Sequence, residues 1–343
     1  MKALVLKDYH KFMIEEFAVP GCGPDEALVK IKACAICGSD VHGIDGSTGR
    51  RIPPIIMGHE ASGIIEKVGA NVHNFQPGAR VTFDSTIYCG RCYFCRRGEI
   101  NLCDHRKVLG VSCDDYRLHG ALAEYVTLPS HIIYSLPDSV SFEQAAMIEP
   151  LSIAFHALRR SSVSLNETAV VVGVGMIGLL VVQLLKLVGC RQIIAVDLVK
   201  EKLNLARKFG ATVGLKADQV DVSTEIYKLT EGRGADLAFE VVGITSTVQS
   251  AIASLRKGGS LILVGNLKPS VDLPLQTIVT RQLSLNGSCA SSGEYPDCLE
   301  LIASGKVDVD TFISATAPLA DGEAWFKRLY AGEPGLMKVI LKP

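Results

Sequence analysis

Ala169-Val170-Val171-Val172-Gly173-Val174-Gly175-Met176-Ile177-Gly178-Leu179-Leu180 is the stretch on which the fold turns. Its apolar, β-branched opening reads as a buried strand, and the apolar run from Leu179 to Val188 reads as a helix. Between them Gly173, Gly175 and Gly178 form G-x-G-x-x-G, with Val174, Met176 and Ile177 as the intervening residues. A strand, a glycine turn and a helix in that order are what a dinucleotide needs. The first glycine makes the tight turn, the second admits a pyrophosphate to the backbone, and the third lets helix and strand pack closely. The helix N-terminus attracts the phosphates.

Asp197 closes the next strand, nineteen residues past Gly178. A carboxylate there accepts hydrogen bonds from ribose hydroxyls and repels a 2'-phosphate, which favours NAD over NADP. Lys202, on the helix that follows, is within reach of the same ribose and softens that selectivity. The competing reading is an ordinary glycine-rich turn with Asp197 as a helix cap.

Gln192–Val196, Asp236–Glu240, Leu261–Val264 and Leu283–Asn286 read as further strands, with a weaker one around Val213. They alternate with helical segments, the rhythm of βαβ units and a parallel sheet. Six strands complete a doubly wound (Rossmann) sheet over residues 153–287. The first 150 residues instead place Gly and Pro breaks between short apolar runs such as Ala27–Ile31, Ala61–Val68 and Ala123–Leu128, which is β-rich patterning. Residues 288–343 are too few for a domain of their own and are expected to rejoin residues 1–152, with Met337–Leu341 as a closing strand. The fold class is therefore α/β, with a second, β-rich domain.

A chain of 343 residues suits two domains, and 48% hydrophobic against 21% charged residues excludes a disordered or fibrous protein. The 35 Lys and Arg nearly balance the 36 Asp and Glu, so nothing draws the chain to nucleic acid or an anionic membrane. The pairs Arg50-Arg51, Arg96-Arg97 and Arg159-Arg160 read as solvated surface, although Arg50-Arg51 also offers recognition of a phosphate. The longest apolar run, Ala169–Val182, is too short to span a bilayer. Met1–His10 lacks the apolar core of a secretion signal, and eleven cysteines then read as thiols and metal ligands of a reducing, cytoplasmic compartment.

Cys89, Cys92, Cys95 and Cys103 lie two, two and seven residues apart in a polar segment. Four converging thiolates saturate a tetrahedral zinc and leave no open position, so the site reads as structural. An iron–sulfur cluster is the alternative. A dispersed set comprises Cys37, His59, Glu60 and Glu149. One thiolate, one imidazole and one or two carboxylates leave a position open, as a catalytic zinc requires. Each member also has a structural explanation: a small buried Cys37, a core His59, an ion-paired Glu60, and a Glu149 opening a helix whose first residue is Pro150.

Together, Cys37-Gly38-Ser39-Asp40, Gly58-His59-Glu60-Ala61-Ser62-Gly63, the four-cysteine lobe, Glu149-Pro150-Leu151 and the glycine turn resemble the zinc-containing medium-chain alcohol dehydrogenases. The likeness runs over nearly the whole chain and points to the sorbitol, threonine and galactitol-phosphate dehydrogenase branch. It implies a GroES-like catalytic domain, two zinc ions per chain and NAD, with Cys37 and His59 on the catalytic zinc and Glu60 or Glu149 ligating directly or through water. Classical members carry a cysteine near Glu149, so this departure points to secondary hydroxyls of polyols. The resemblance further implies Ser39 and His42 as a proton relay, and Val242, Gly243, Val264 and Gly265 flanking the adenine and nicotinamide. It implies a homodimer or homotetramer. The segment Cys113-Asp114-Asp115-Tyr116 departs from the shorter, Gly-rich turn of relatives. Threonine or a simple secondary alcohol is the rival substrate, and a nucleotide-sensing protein without catalysis the rival class.

Overall fold

The computed structural model describes residues 1–113 and 116–343; Asp114 and Asp115 lie outside the described residues. Two compact units divide the chain, Met1–Glu149 with Ser292–Pro343, and Pro150–Ser291.

In the second unit six parallel strands run in the spatial order Val213–Lys216, Gln192–Asp197, Thr168–Val172, Ala235–Glu240, Leu255–Leu263, Ser284–Gly287. Numbered along the chain this is 3-2-1-4-5-6, the doubly wound order with its switch point beside Thr168–Val172. Every residue of Thr168–Val172 and of Ala235–Glu240 is buried, because helices cover both faces of a parallel sheet. Val170, Ile194, Ala238, Ile252 and Leu261 fill part of that core. The strand Leu255–Leu263 begins well before the apolar run Leu261–Val264. A register shift between Ala235 and Leu237 accommodates Lys257-Gly258-Gly259, which the polar patterning concealed.

In the first unit a seven-stranded sheet runs Ile133–Ser135, Arg80–Phe83, Glu60–Val68, Glu26–Ala35, Lys338–Lys342, Ile313–Pro318, with Tyr125–Pro129 also paired to Glu26–Ala35. Its register places Ala35 opposite both Glu60 and Ile340. That pairing carries the end of the chain to the strand leading into Cys37, and it assembles the site described next. Among the described residues no helix is long and apolar enough to cross a membrane.

Candidate active site

Cys37 caps a four-residue helix, Gly38–Val41, and its sulfur accepts from Ser39 N at 3.4 Å and Ser39 Oγ at 3.2 Å. His59 and Glu60 enter the site from the start of the strand Glu60–Val68. Gly58, at φ +96°, makes the preceding turn, where a Cβ would lie 2.7 Å from Cys34 Sγ. Ligand atoms of Cys37, His59 and Glu60 all fall within 4.8 Å of one another.

Glu60 is fully buried; its Oε2 accepts from Lys338 Nζ at 2.5 Å, while Oε1 is buried and has no hydrogen-bond partner among the described residues. His59 Nδ1 likewise makes no hydrogen bond among the described residues and faces Asp40 Oδ1 at 3.5 Å. Burial raises the Glu149 carboxyl well above the usual range; His59 opposes the shift, and Glu60 and Cys37 add to it. Burial, then Glu60, push the Cys37 thiol up to about 12. For Lys338, burial favours the neutral amine, but Glu60 and Cys37 outweigh it and raise the pKa.

Ionised, Cys37, Asp40, Glu60 and Glu149 exceed the cations Arg51 and Lys338 by two charges. A divalent ion closes that balance and supplies the partner that Glu60 Oε1 lacks, so the donor set fits zinc. Without one, the enclosed anions repel one another, and that repulsion adds to the burial that raises Cys37 and Glu149.

Ligand atoms of Cys89, Cys92, Cys95 and Cys103 also lie within 4.8 Å of one another. Backbone N–H groups of Cys89 and His105 each donate to Cys103 Sγ at 3.3 Å. The Arg91 N–H holds the Cys89 thiol down to about 6, and the Cys95 N–H lowers Cys92. Cys95 is instead pushed up to about 12 by burial and by its contacts with Cys92 and Cys103. Four converging sulfurs, the only ligand type in this cluster among the described residues, fit a closed zinc site.

In the second unit Gly173 turns at φ +89°, where a Cβ would meet Val242 Cγ2 at 2.4 Å. A Cβ on Gly178 would lie 2.1 Å from Gly173 O, whereas one on Gly175 meets nothing within 4 Å. The middle glycine therefore leaves its backbone open to a ligand, and the outer two serve close packing. Met176 and Ile177 begin the helix Met176–Leu187. Asp197 Oδ2 accepts from Val174 N at 3.0 Å and Oδ1 from Val199 N at 2.9 Å, tying the acid to the turn. Lys202 is half-buried on the helix Lys200–Phe209. The turns Val242-Gly243 and Val264-Gly265 touch: a Cβ on Gly265 would sit 2.3 Å from Val242 C.

Residues 23–138 match the alcohol dehydrogenase GroES-like domain, and residues 176–304 the zinc-binding dehydrogenase family. Sorbitol dehydrogenase of Bacillus subtilis (strain 168) is 34% identical, over 100% of this chain and 97% of its own length. The chain belongs to the zinc-containing medium-chain dehydrogenases. A probable D-xylulose reductase A of Emericella nidulans is 35% identical, over 99% of this chain and 96% of its own. The crystal structure of galactitol-1-phosphate dehydrogenase from Escherichia coli superposes with a TM-score of 0.92 at 28% identity, with 100% of both chains covered.

As a member of this family the chain is a zinc-dependent dehydrogenase with a nicotinamide cofactor. Around the cluster Cys37, His59 and Glu60 stand residues that sequence reasoning missed. Lys338 is buried and donates also to Ile36 O at 3.1 Å, and only the pairing of a distant strand brings it there. Asp40 was visible in Cys37-Gly38-Ser39-Asp40, but nothing local marks it as facing His59. In the cofactor unit, buried Glu240 accepts from Val242 N at 2.9 Å, Gly243 N at 2.8 Å and Thr247 Oγ1 at 2.7 Å, and its own carbonyl accepts from Val264 N and Gly265 N at 2.9 Å. It thus secures both turns at once.

Two expectations are corrected. Arg51 is not solvated: it is 2% exposed, because Asp40 lies beneath it and a buried carboxylate demands a cation. Arg50 alone of that pair is exposed. Pro150 is the third residue of the helix Ile148–Arg159 and not its first; the proline is tolerated there because first-turn N–H groups need no intrahelical partner.

Proposed function

We propose that the chain oxidises a secondary hydroxyl of a polyol, a sugar alcohol or its phosphate, with NAD as hydride acceptor. The observation that carries this reading is the cluster Cys37, His59 and Glu60, with Glu149 where classical members hold a second thiolate. Cys37, His59 and Glu60 are assigned as the zinc ligands, because their ligand atoms converge and Glu60 keeps an oxygen without a hydrogen-bond partner among the described residues, and Glu149 as the remaining carboxylate beside them. The four-cysteine lobe is assigned a structural zinc. Zinc, when bound, supplies Lewis acidity toward the alcohol oxygen, and NAD accepts the hydride.

Ser39 is assigned as the first proton acceptor and exposed His42 as the group that exchanges the proton with solvent. Gly173, Gly175, Met176, Ile177 and Gly178 cradle the pyrophosphate, with Asp197 and Lys202 at the ribose and Val242, Gly243, Val264 and Gly265 along adenine and nicotinamide. We assign 1–152 and 288–343 to the catalytic domain and 153–287 to the cofactor domain, bounds that lie within four residues of those of the two compact units. We assign a homo-oligomer in the cytoplasm; the outer strand Ser284–Gly287 and the exposed Leu275 and Val279 support association.

Relatives named for sorbitol, D-xylulose and galactitol 1-phosphate support the substrate class. Initial rates of NADH formation with sorbitol, galactitol, galactitol 1-phosphate, threonine and 2,3-butanediol test it, each with NAD and with NADP. Polyols with NAD are expected to lead. Threonine alone as substrate refutes the polyol assignment, and no turnover with any alcohol, despite bound NADH and zinc, refutes catalysis.

A further inference from the structure

Arg51 spends its donors in three directions. Nε and Nη2 reach Asp40 Oδ1 at 2.8 and 2.7 Å, Nη1 reaches Arg50 O at 3.1 Å, and Nη2 reaches Ser39 Oγ at 3.2 Å. Gly43 makes room for its stem, since a Cβ there would lie 2.5 Å from Arg51 Cγ. One planar group therefore links the carboxylate facing His59 to the hydroxyl beside Cys37.

A guanidinium offers only donors, and a serine hydroxyl has one proton and two lone pairs. Ser39 must meet Arg51 with a lone pair, so its proton points away, toward Cys37 Sγ at 3.2 Å. The second lone pair stays free. An exposed serine without such a tether samples three staggered rotamers.

We propose that Arg51 is a positioning residue for proton removal, holding the Ser39 hydroxyl in the rotamer that keeps one lone pair open to the substrate alcohol. When Ser39 Oγ takes the alcohol's proton, its own proton turns from Cys37 Sγ to a solvent water that carries it to exposed His42 and on to bulk solvent, so the hydroxyl ends as it began. This rests on the assignment of Ser39 as first proton acceptor. It also removes Arg51 as an anchor for a substrate phosphate, because its forks are engaged within the protein.

The test uses the zinc-loaded protein with Arg51→Lys, Arg51→Met, Ser39→Ala and the double variant Arg51→Met/Ser39→Ala. Outer groups that orient a metal site typically contribute roughly 10- to 100-fold. Arg51→Met is expected to lower kcat by about that factor, leave KM for NAD unchanged and raise the solvent deuterium isotope effect. Arg51→Lys should fall between, since an ammonium cannot fork to Asp40 and Ser39 together. The double variant should be no slower than Ser39→Ala alone. Losses that multiply, or an unchanged isotope effect, overturn the proposal; so does a loss that tracks zinc content, which would assign Arg51 to Asp40 and His59 instead.

If Arg51→Met fails to fold, Arg51→Met combined with Asp40→Asn removes the stranded charge and replaces it. Crystals of wild type and Arg51→Lys give a readout that needs no turnover. One Ser39 rotamer in the first and several in the second are expected, and a single identical rotamer in both refutes the tether. A wild type inactive on every alcohol would overturn the assignment of Ser39 as first proton acceptor, and with it the catalytic part of the proposal, while the rotamers still decide whether Arg51 orders Ser39.

Discussion

Replacing Lys338 with Met strands a charge. Lys338 and Glu60 are 1% and 0% exposed at their side chains and meet at 2.5 Å, so the ammonium is the main counter-charge of a carboxylate that water does not reach. Removing one partner of a buried pair costs about 3–5 kcal/mol, and Ile36 O loses its donor as well. Part of that cost is recovered when the carboxylate protonates, so about 3 kcal/mol is the working value. For a unit of roughly 200 residues each kcal/mol lowers the melting temperature by about 2–4 °C, which gives roughly 6–12 °C.

Zinc changes the size of the effect in a direction the structure specifies. A dication beside Glu60 replaces part of the missing positive charge, so the deficit should be smaller in zinc-loaded protein than after chelation. Differential scanning calorimetry of wild type and Lys338→Met, with zinc and after chelator treatment, reads both numbers. Adding Glu60→Gln to Lys338→Met removes the stranded charge and should recover much of the loss in the zinc-free protein. Equal melting temperatures for wild type and Lys338→Met without zinc, or no recovery in the double variant, would refute the charge balance proposed for this pocket.

Cys103→Ser should lower the melting temperature and release one zinc per chain by metal analysis while the other stays bound, because a closed site contributes to folding. Gly178→Ala drives a Cβ to 2.1 Å from Gly173 O; an overpacking cost of about 1–3 kcal/mol predicts an NADH Kd weakened by roughly 5- to 150-fold by fluorescence titration, with both zinc ions retained. Asp236 is raised by burial, but Arg233, the Thr168 N–H and Arg256 outweigh this and hold it at about 2, against an ordinary value of 3.8. With the folded value depressed, its contribution of about 2 kcal/mol is complete above pH 3.8 and vanishes as the pH falls through 2. Denaturant titrations of wild type and Asp236→Asn should therefore show a full gap at pH 6 that narrows by pH 3.5, and a constant gap would refute the assignment.

The cofactor unit was legible because its determinants are local. A strand buried on both faces must read as an unbroken apolar run, as Thr168–Val172 does, and a pyrophosphate turn must place glycines at fixed offsets whatever surrounds it. The four-cysteine lobe is legible for the same reason, since all its sulfurs come from fifteen consecutive residues. The other cluster has no such economy. Cys37, His59 and Glu60 meet only because one sheet aligns their strands, and the family likeness singled them out where periodicity did not.

What surrounds that cluster is the least legible part, and the reason is electrostatic. Arg51 follows another arginine in a segment rich in Gly and Pro, which is how a solvated loop reads, and Lys338 reads as the polar first residue of the strand Lys338–Lys342. Each is buried because a carboxylate is buried beside it, 11 residues away for Asp40 and 278 for Glu60. A buried cation is specified by its anion, and the anion by the metal it helps to hold. Sequence patterning records the hydrophobic demand on a side chain but not this chain of charge demands. The exceptions to the surface reading of Arg and Lys accordingly gather at the cluster Cys37, His59 and Glu60, where burying a charge without its partner would be most costly.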